Sequence, residues 1–236
     1  MFLILILSIL VSCQVTSNLN LDDRVSGSSL SSIRTDSFFE GVLEDLSSWK
    51  DSGSNDPVTD VAIESFARKL SESPYSGNVL FTKTDEHSYT GEFDFSDFTL
   101  LLEELSGEYK DQDLITLKSS NNRTRLTLKI SLENYDVLSS ILPFLADPNF
   151  EVWGPKYNNP PYDYLTEEDY KDLVSFVLGE DGPESIDASS VRIIINTPMD
   201  IVSTNGTKLS EKSVEFTFPL IDFLLLHEEI YFYCEF

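Results

Sequence analysis

The sequence predicts an α+β fold, an antiparallel sheet or partly open barrel built from repeated β-β-α units with helices packed on one side. Three observations lead to it. Short segments with apolar residues at every second position come in pairs joined by polar turns. Each pair is followed by a stretch with apolar residues at i, i+3, i+4 and i+7, the spacing of one helical face. With 41% apolar residues, 16 Phe and 10 Tyr in 236 residues, the chain can bury a sizeable core. Hairpins alternating with helices favour helices on antiparallel sheet over parallel βαβ winding.

The first unit has strand positions Val15, Leu19 and Leu21, a turn from Asp22 to Gly27, and a helical stripe of Phe39, Val42, Leu43, Leu46 and Trp49. Its strands are serine-rich, so its pattern is the weakest. The stretch from Ser47 to Asn55 reads as a surface loop. Asp56 is a candidate N-cap with Pro57 at the first helical position, ahead of Val58, Val61, Ala62, Phe66 and Leu70 as a buried stripe. The second unit runs through Val79 and Phe81, turns at Asp85 to Ser88, returns through Phe93 and Phe95, and enters a helix at Ser96. Phe98, Leu101, Leu102 and Leu105 line its inner face, with Gly107 just beyond.

The third unit pairs Ile115 and Leu117 with Leu126, Leu128 and Ile130 around a turn at Ser120-Asn121-Asn122. Its helix carries Tyr135, Leu138, Leu142 and Leu145, and Pro143 is expected to tighten or end the last turn. A further helix opens at Thr166, with Asp169 three residues on and Leu165 and Tyr170 as a hydrophobic staple. Leu173, Val174 and Val177 are expected to face inward and Gly179 to stop the helix. The last unit alternates at Val191, Ile193 and Ile195, has a short strand near Ile201, and turns at Asn205-Gly206. Val214, Phe216 and Phe218 alternate next, Pro219 breaks the strand, Ile221 to Leu226 make one or two helical turns, and Ile230, Phe232, Cys234 and Phe236 close the chain.

The first 12 residues read as a processing segment. Phe2 to Val11 is a ten-residue apolar run, the length of a signal-peptide core and far short of the roughly 20 residues that span a bilayer. The tetrad Leu10-Val11-Ser12-Cys13 resembles the lipobox of bacterial lipoproteins, although no Lys or Arg precedes the run. That resemblance implies cleavage before Cys13 and a diacylglyceryl group on its thiol. It divides the chain into a signal peptide, 1–12, and one extracytoplasmic domain, 13–236, held at a cell membrane or outer membrane. Each buried acyl methylene contributes about 0.8 kcal/mol, so two or three chains anchor firmly where one is marginal.

Charge and residue counts exclude several functions. A formal charge of −25 repels nucleic acid and bare anionic headgroups. Lipidation of Cys13 leaves Cys234 as the one other cysteine, so no intramolecular disulfide is expected. Two histidines, His87 and His227, argue against a His-rich zinc site, and no nucleophile-elbow, phosphate-loop or dinucleotide motif occurs. The acidic pairs Asp22-Asp23, Glu103-Glu104, Glu167-Glu168 and Glu228-Glu229 read as solvated surface, and a carboxylate-dependent hydrolase as a distant alternative. Asp85-Glu86 and Glu180-Asp181-Gly182 offer oxygen ligands without EF-hand spacing, so no metal or cofactor is expected. Asn122-Arg123-Thr124 and Asn205-Gly206-Thr207 match the glycosylation pattern, which has no meaning in a bacterial envelope.

One connection stands apart. Residues 146–165 hold Pro148, Pro155, Pro160 and Pro161 among Phe150, Trp153, Tyr157, Tyr162 and Tyr164. Long loops in compact domains are often functional, and prolines lower the entropy lost on docking. Trp153, Tyr157, Tyr162 and Tyr164 are therefore the candidate partner or ligand contacts, against the alternative that the rings merely cover the core.

In the pieces NLNLDDRVSG, after Cys13, and VRIIINTPMDIVSTNGTKLSEKSVEFTFPL the chain resembles the LppM-like envelope lipoproteins, where a strand pair with a terminal glycine turn follows the lipidated cysteine. A later strand of that family ends in Pro and is followed by Asn-Gly. The chain departs from the pattern at Met199, where Gly is favoured, and at Phe216, where Trp is favoured. The stretch from Asn134 to Ser190 is similar to spirochaete-type lipoproteins. The resemblance implies a lipid-anchored, mostly β envelope protein that handles lipids. The expected function is thus non-enzymatic binding of a lipid, an amphiphile or an envelope protein partner, with a secreted acidic interaction module as the alternative.

Overall fold

The structure, a computed structural model, describes residues 13–22, 25–35, 58–107, 114–120, 122–141, 154–156, 159–160 and 164–236. In chain order its elements are β1 (Cys13–Leu21), β2 (Gly27–Thr35), α1 (Val58–Glu72), β3 (Ser76–Asp85), β4 (Ser88–Phe95), α2 (Phe98–Ser106), β5 (Ile115–Ser120) and β6 (Arg123–Ile130). There follow α3 (Tyr135–Ile141), α4 (Glu167–Leu178), α5 (Asp181–Asp187), β7 (Ser190–Asn196), β8 (Ser203–Thr204), β9 (Thr207–Ser210), β10 (Ser213–Pro219), α6 (Leu220–Leu225) and β11 (Ile230–Glu235). The fold is α+β, with a seven-stranded sheet ordered β3-β4-β2-β1-β7-β10-β9 and a four-stranded sheet ordered β5-β6-β11-β8. Of the two forms anticipated, the open antiparallel sheet is the one formed, and neither sheet closes into a barrel.

One ladder departs from the antiparallel rule. β1 runs parallel to β7, from Gln14 opposite Ser190 to Asn20 opposite Asn196, at the middle of the large sheet. This seam joins the N-terminal hairpin to the C-terminal strands. Its crossover is the whole intervening chain, so no local sequence pattern announces it.

The serine-rich hairpin forms in full register, Cys13 opposite Thr35 through to Leu21 opposite Gly27. Val15, Leu19 and Leu21 point into the core beside Ser17, Ser29 and Ser31. The Ser17 and Ser31 hydroxyls bond to each other at 2.5 Å, which offsets the cost of burying them. At Gly27 any Cβ would lie 2.0 Å from the Asn20 carbonyl oxygen, so the close of this turn admits only glycine.

Helix ends correct the sequence reading in detail. α2 is capped by Asp97 rather than opening at Ser96: the Asp97 carboxylate accepts from the Thr99 and Leu100 N–H groups at 3.0 Å. α1 buries Ile63, Phe66 and Leu70, while Val61 faces out at 48% exposure. Lys69 on α1 donates to the carbonyls of Leu105, 2.9 Å, and Ser140, 3.0 Å, so one ammonium ties the last turns of α2 and α3 to α1. α4 has the expected capping box, with Asp169 N–H donating to Thr166 Oγ1 at 3.2 Å and Thr166 N–H to Asp169 Oδ2 at 3.1 Å.

The inward line of α4 is Tyr170 and Val174; Leu173 and Val177, expected inside, lie on its exposed flank beside Phe176. Periodicity finds a stripe but not which edge of it meets the core. Here α5 decides, since Gly182 packs so closely that a Cβ would lie 2.7 Å from Val174 Cγ1. The short strand expected near Ile201 forms at Ser203–Thr204 and joins the small sheet, whereas Ile201 itself is buried. The helix anticipated over Phe39 to Trp49, the Asp56–Pro57 cap, and Leu142, Pro143 and Leu145 lie outside the described residues.

Candidate functional site

Two surfaces and one interior hollow stand out among the described residues. The hollow lies between the sheets. Leu19, Ile193, Ile195 and Phe216 line it from the large sheet, Ile115, Leu126, Leu128 and Phe232 from the small one, and Phe98 from α2. Its lining is apolar throughout, and its volume is about 20 Å³, close to that of a single water-sized sphere. Between these residues the two sheets leave only that small space.

Of the residues expected in the contact loop, Trp153, Tyr157 and Tyr162 lie outside the described residues. Tyr164 is 62% exposed and stacks on the His227 ring at 4.4 Å, with planes 13° apart. Near it, partial burial first, then the charges of Glu167 and Glu228, raise the Asp222 carboxyl above its ordinary range. The loop is pinned to the body at Asn159, buried, whose amide donates to the carbonyls of Pro155 at 2.9 Å and Leu225 at 2.7 Å. Lys156 pairs with Asp136 and sits 6.0 Å from the Tyr135 ring centre.

Cys13 lies in β1, a central strand of the large sheet. Cys234 is buried on the inner side of β11, and burial pushes its thiol up to about 12, with Lys208 opposing. The paired acids Glu103-Glu104, Glu167-Glu168 and Glu228-Glu229 are all exposed. Asp85 accepts the His87 N–H at 2.9 Å, and that bond, with the Ser88 hydroxyl, holds its carboxyl below the usual range. Its lone pairs are thus engaged in the turn. Among the described residues no group of three or more His, Cys, Asp or Glu converges as a metal site would need.

The surface that sequence reasoning passed over is the outer face of the small sheet. The β5–β6 hairpin, residues 115–130, carries Lys118, Arg123, Arg125 and Lys129 and no acid, in a chain with 41 acids against 16 bases. Strand alternation puts Arg123, Arg125 and Lys129 outward, because Thr124, Leu126, Leu128 and Ile130 are buried between them. Lys118 lies opposite Arg125, and Tyr231, Tyr233 and Glu235 of β11 lie opposite Lys129, Thr127 and Arg125. The Arg125 guanidinium stacks 4.0 Å from the Tyr233 ring centre and donates to Tyr231 Oη at 3.3 Å. Arg123 Nη1 reaches Glu235 Oε1 at 3.0 Å and Arg125 Nη1 reaches Glu235 Oε2 at 3.8 Å, so one carboxylate sits between two guanidiniums. Ser203 and Tyr233 share a hydroxyl bond of 3.1 Å, and Lys129 pairs with Glu229 at 3.2 Å. The readable signal was local charge: a basic hairpin in an acidic chain.

No protein-family model matches the chain, and no curated protein matches it either. Among solved structures it is similar to the folded domain of LppM of Mycobacterium tuberculosis, determined by NMR, at 11% identity and a TM-score of 0.44, over 95% of this chain and 89% of that one.

Proposed function

We propose that the protein is a lipid-anchored extracytoplasmic interaction module of the cell envelope, tethered through an acylated Cys13, whose folded domain presents surfaces to a protein partner rather than carrying a lipid inside. The observation that carries the choice of module over carrier is the size of the hollow between the sheets, which at about 20 Å³ has no room for an acyl chain. Support for the anchor comes from the ten-residue apolar run and the tetrad ending at Cys13. No helix among the described residues is long and apolar enough to cross a membrane.

Mass spectrometry of the mature N-terminus tests the anchor. A diacylglyceryl-modified Cys13 is expected, and Cys13→Ser should move the protein out of the detergent phase. An unmodified terminus beginning elsewhere defeats the anchor. Titration with a fluorescent fatty acid tests the module: no saturable binding is expected. A second reading, carriage of an amphiphile, is favoured by the all-apolar lining of the seam, and saturable binding abolished by Phe216→Ser would establish it. Trp153, Tyr157, Tyr162 and Tyr164 remain part of the proposed contact surface. Replacing Trp153 and Tyr157 by Ala should abolish partner capture at little cost in stability. A loss of roughly 3–5 kcal/mol for either ring would instead assign them to the core.

A further inference from the structure

Only one of the two apolar lines on α4 is buried. Tyr170 and Val174 face the core, while Leu173, Phe176 and Val177, spaced i, i+3 and i+4, form a second stripe that is 39%, 89% and 49% exposed. A Phe ring held so far out of the core contributes little to the fold, and a contiguous apolar helix stripe left in water is the kind of surface that takes a partner helix. The helix is also firmly mounted. Its capping box at Thr166 and Asp169 fixes the first turn, Lys171 pairs with Glu167 and with Asp187 of α5 at 2.6 Å each, and Gly182 of α5 packs against Val174. A partner therefore meets a preformed ridge, and little ordering of α4 remains to oppose binding.

We propose that this stripe docks a basic amphipathic helix of another protein, with Lys or Arg bordering its apolar face. Charge selects that occupant. From Thr166 to Asp181 six acids stand against one base, Lys171. Asp169 and Asp172 lie one turn before Leu173 and Phe176, on the side of α4 that carries the stripe, and both are exposed. Cations bordering an apolar partner face thus meet carboxylates beside the stripe, where complementary charge speeds association and rejects wrong partners. The same acids argue against the other occupants. A second copy would bring like carboxylates together, and anionic headgroups would be repelled. The chain's own candidate stripe from Phe39 to Trp49 includes Glu40, Glu44 and Asp45 and no base, so it lacks the complementary charge.

The proposal deepens the module reading and rests on it; mass spectrometry and fatty-acid titration test the anchor and the module, so failures of the two are told apart. The experiment places the full chain in phosphatidylcholine vesicles, with protein-free vesicles as the reference. A fluorescein-labelled peptide of about 18 residues, Leu, Ala and Lys with Leu at i, i+3, i+4 and i+7, is titrated and followed by anisotropy. Saturable binding is expected, at least about tenfold tighter than that of a peptide of the same composition in scrambled order. Phe176→Ser removes the anchoring ring and should weaken binding at least about tenfold, with the melting temperature unchanged. Asp172→Lys should weaken it about threefold or more and flatten its salt dependence. Glu211→Lys, an equal change of charge just before β10, at the end of that strand away from α6, should leave affinity within about twofold. Absence of binding, equal binding of the scrambled peptide, or binding unchanged by Phe176→Ser overturns the proposal. A melting temperature lowered by more than about 4 °C in Phe176→Ser would assign the ring to a contact within the chain. Glutaraldehyde crosslinking of two copies that Phe176→Ser abolishes would assign the stripe to self-association, and either result overturns the choice of partner.

Discussion

The β1–β2 and β5–β6 hairpins are built alike yet belong to different sheets that face each other across one hollow. β1 and β2 sit inside the seven-stranded sheet, flanked by β7 and β4, and their inner face mixes Val15, Leu19 and Ile33 with three buried serines. β5 and β6 lie at one side of the small sheet, with Leu126, Leu128 and Ile130 inward and four cations on the hairpin. The hairpin with the weaker apolar pattern is the more central. Alternation reports which face of a strand is buried; it carries no information about how many strands flank it. Ser17 and Ser31 are tolerated at the centre because their hydroxyls bond to each other, whereas the buried Ser29 hydroxyl finds no partner among the described residues.

The largest effects should come from the shared core. Leu19→Ala, in the central hairpin and on the wall of the hollow, should cost about 2–5 kcal/mol in urea unfolding, and Leu117→Ala, half-buried in β5, clearly less. Equal losses would show that centre and edge carry the fold alike. Next comes the serine pair. Ser17→Ala should cost about 1–3 kcal/mol by stripping Ser31 of its partner, and the double Ser17→Ala/Ser31→Ala should cost less than the sum of the singles. Strict additivity would mean that the buried bond contributes nothing.

Alkaline pH separates two further anchors. Burial pushes the Cys234 thiol from 9.0 to about 12, and burial, then the bond its hydroxyl donates to Asp60 at 2.6 Å, raises Tyr89 from 10.0 to about 12. Both groups are neutral when protonated, and the unfolded chain ionises first. Their contribution is therefore complete below about pH 9 and is lost as pH rises towards 12. The melting temperature should fall from about pH 9 upward. Cys234→Ala should flatten the first part of that fall, and Tyr89→Phe the part above about pH 10. Native Cys234 should resist a thiol reagent until the protein unfolds, and fast labelling would show that β11 opens.

The smallest effects belong to exposed side chains. Phe176, 89% exposed, should tolerate Ser within about 0.5 kcal/mol, and so should Arg123→Glu, since exposed ion pairs contribute little. A larger loss at Phe176 in thermal melts would mean that this flank of α4 is covered.

Much of the architecture was legible because its signals are local. The alternation in β4, β6, β7, β10 and β11, the capping box at Thr166 and Asp169, and the inward Cys234 follow from period-two and period-3.6 chemistry within a few residues. The candidate surface was less so. Lys129 stood in the recognised alternation, but the face is completed by Tyr231, Tyr233 and Glu235, more than a hundred residues away in sequence from Arg123 and Arg125.

By itself the sequence determined most of the strands, the capped helix at Thr166, the α+β class and the basic character of residues 115–130, because each depends on neighbours along the chain. Only the tertiary structure decided the parallel seam between β1 and β7, the outward turn of Leu173 and Val177, the small apolar hollow between the sheets, and the stacking of Arg125 on Tyr233. Those depend on which distant segments meet. Such meetings are selected by packing and loop closure over the whole chain, which no local spacing encodes.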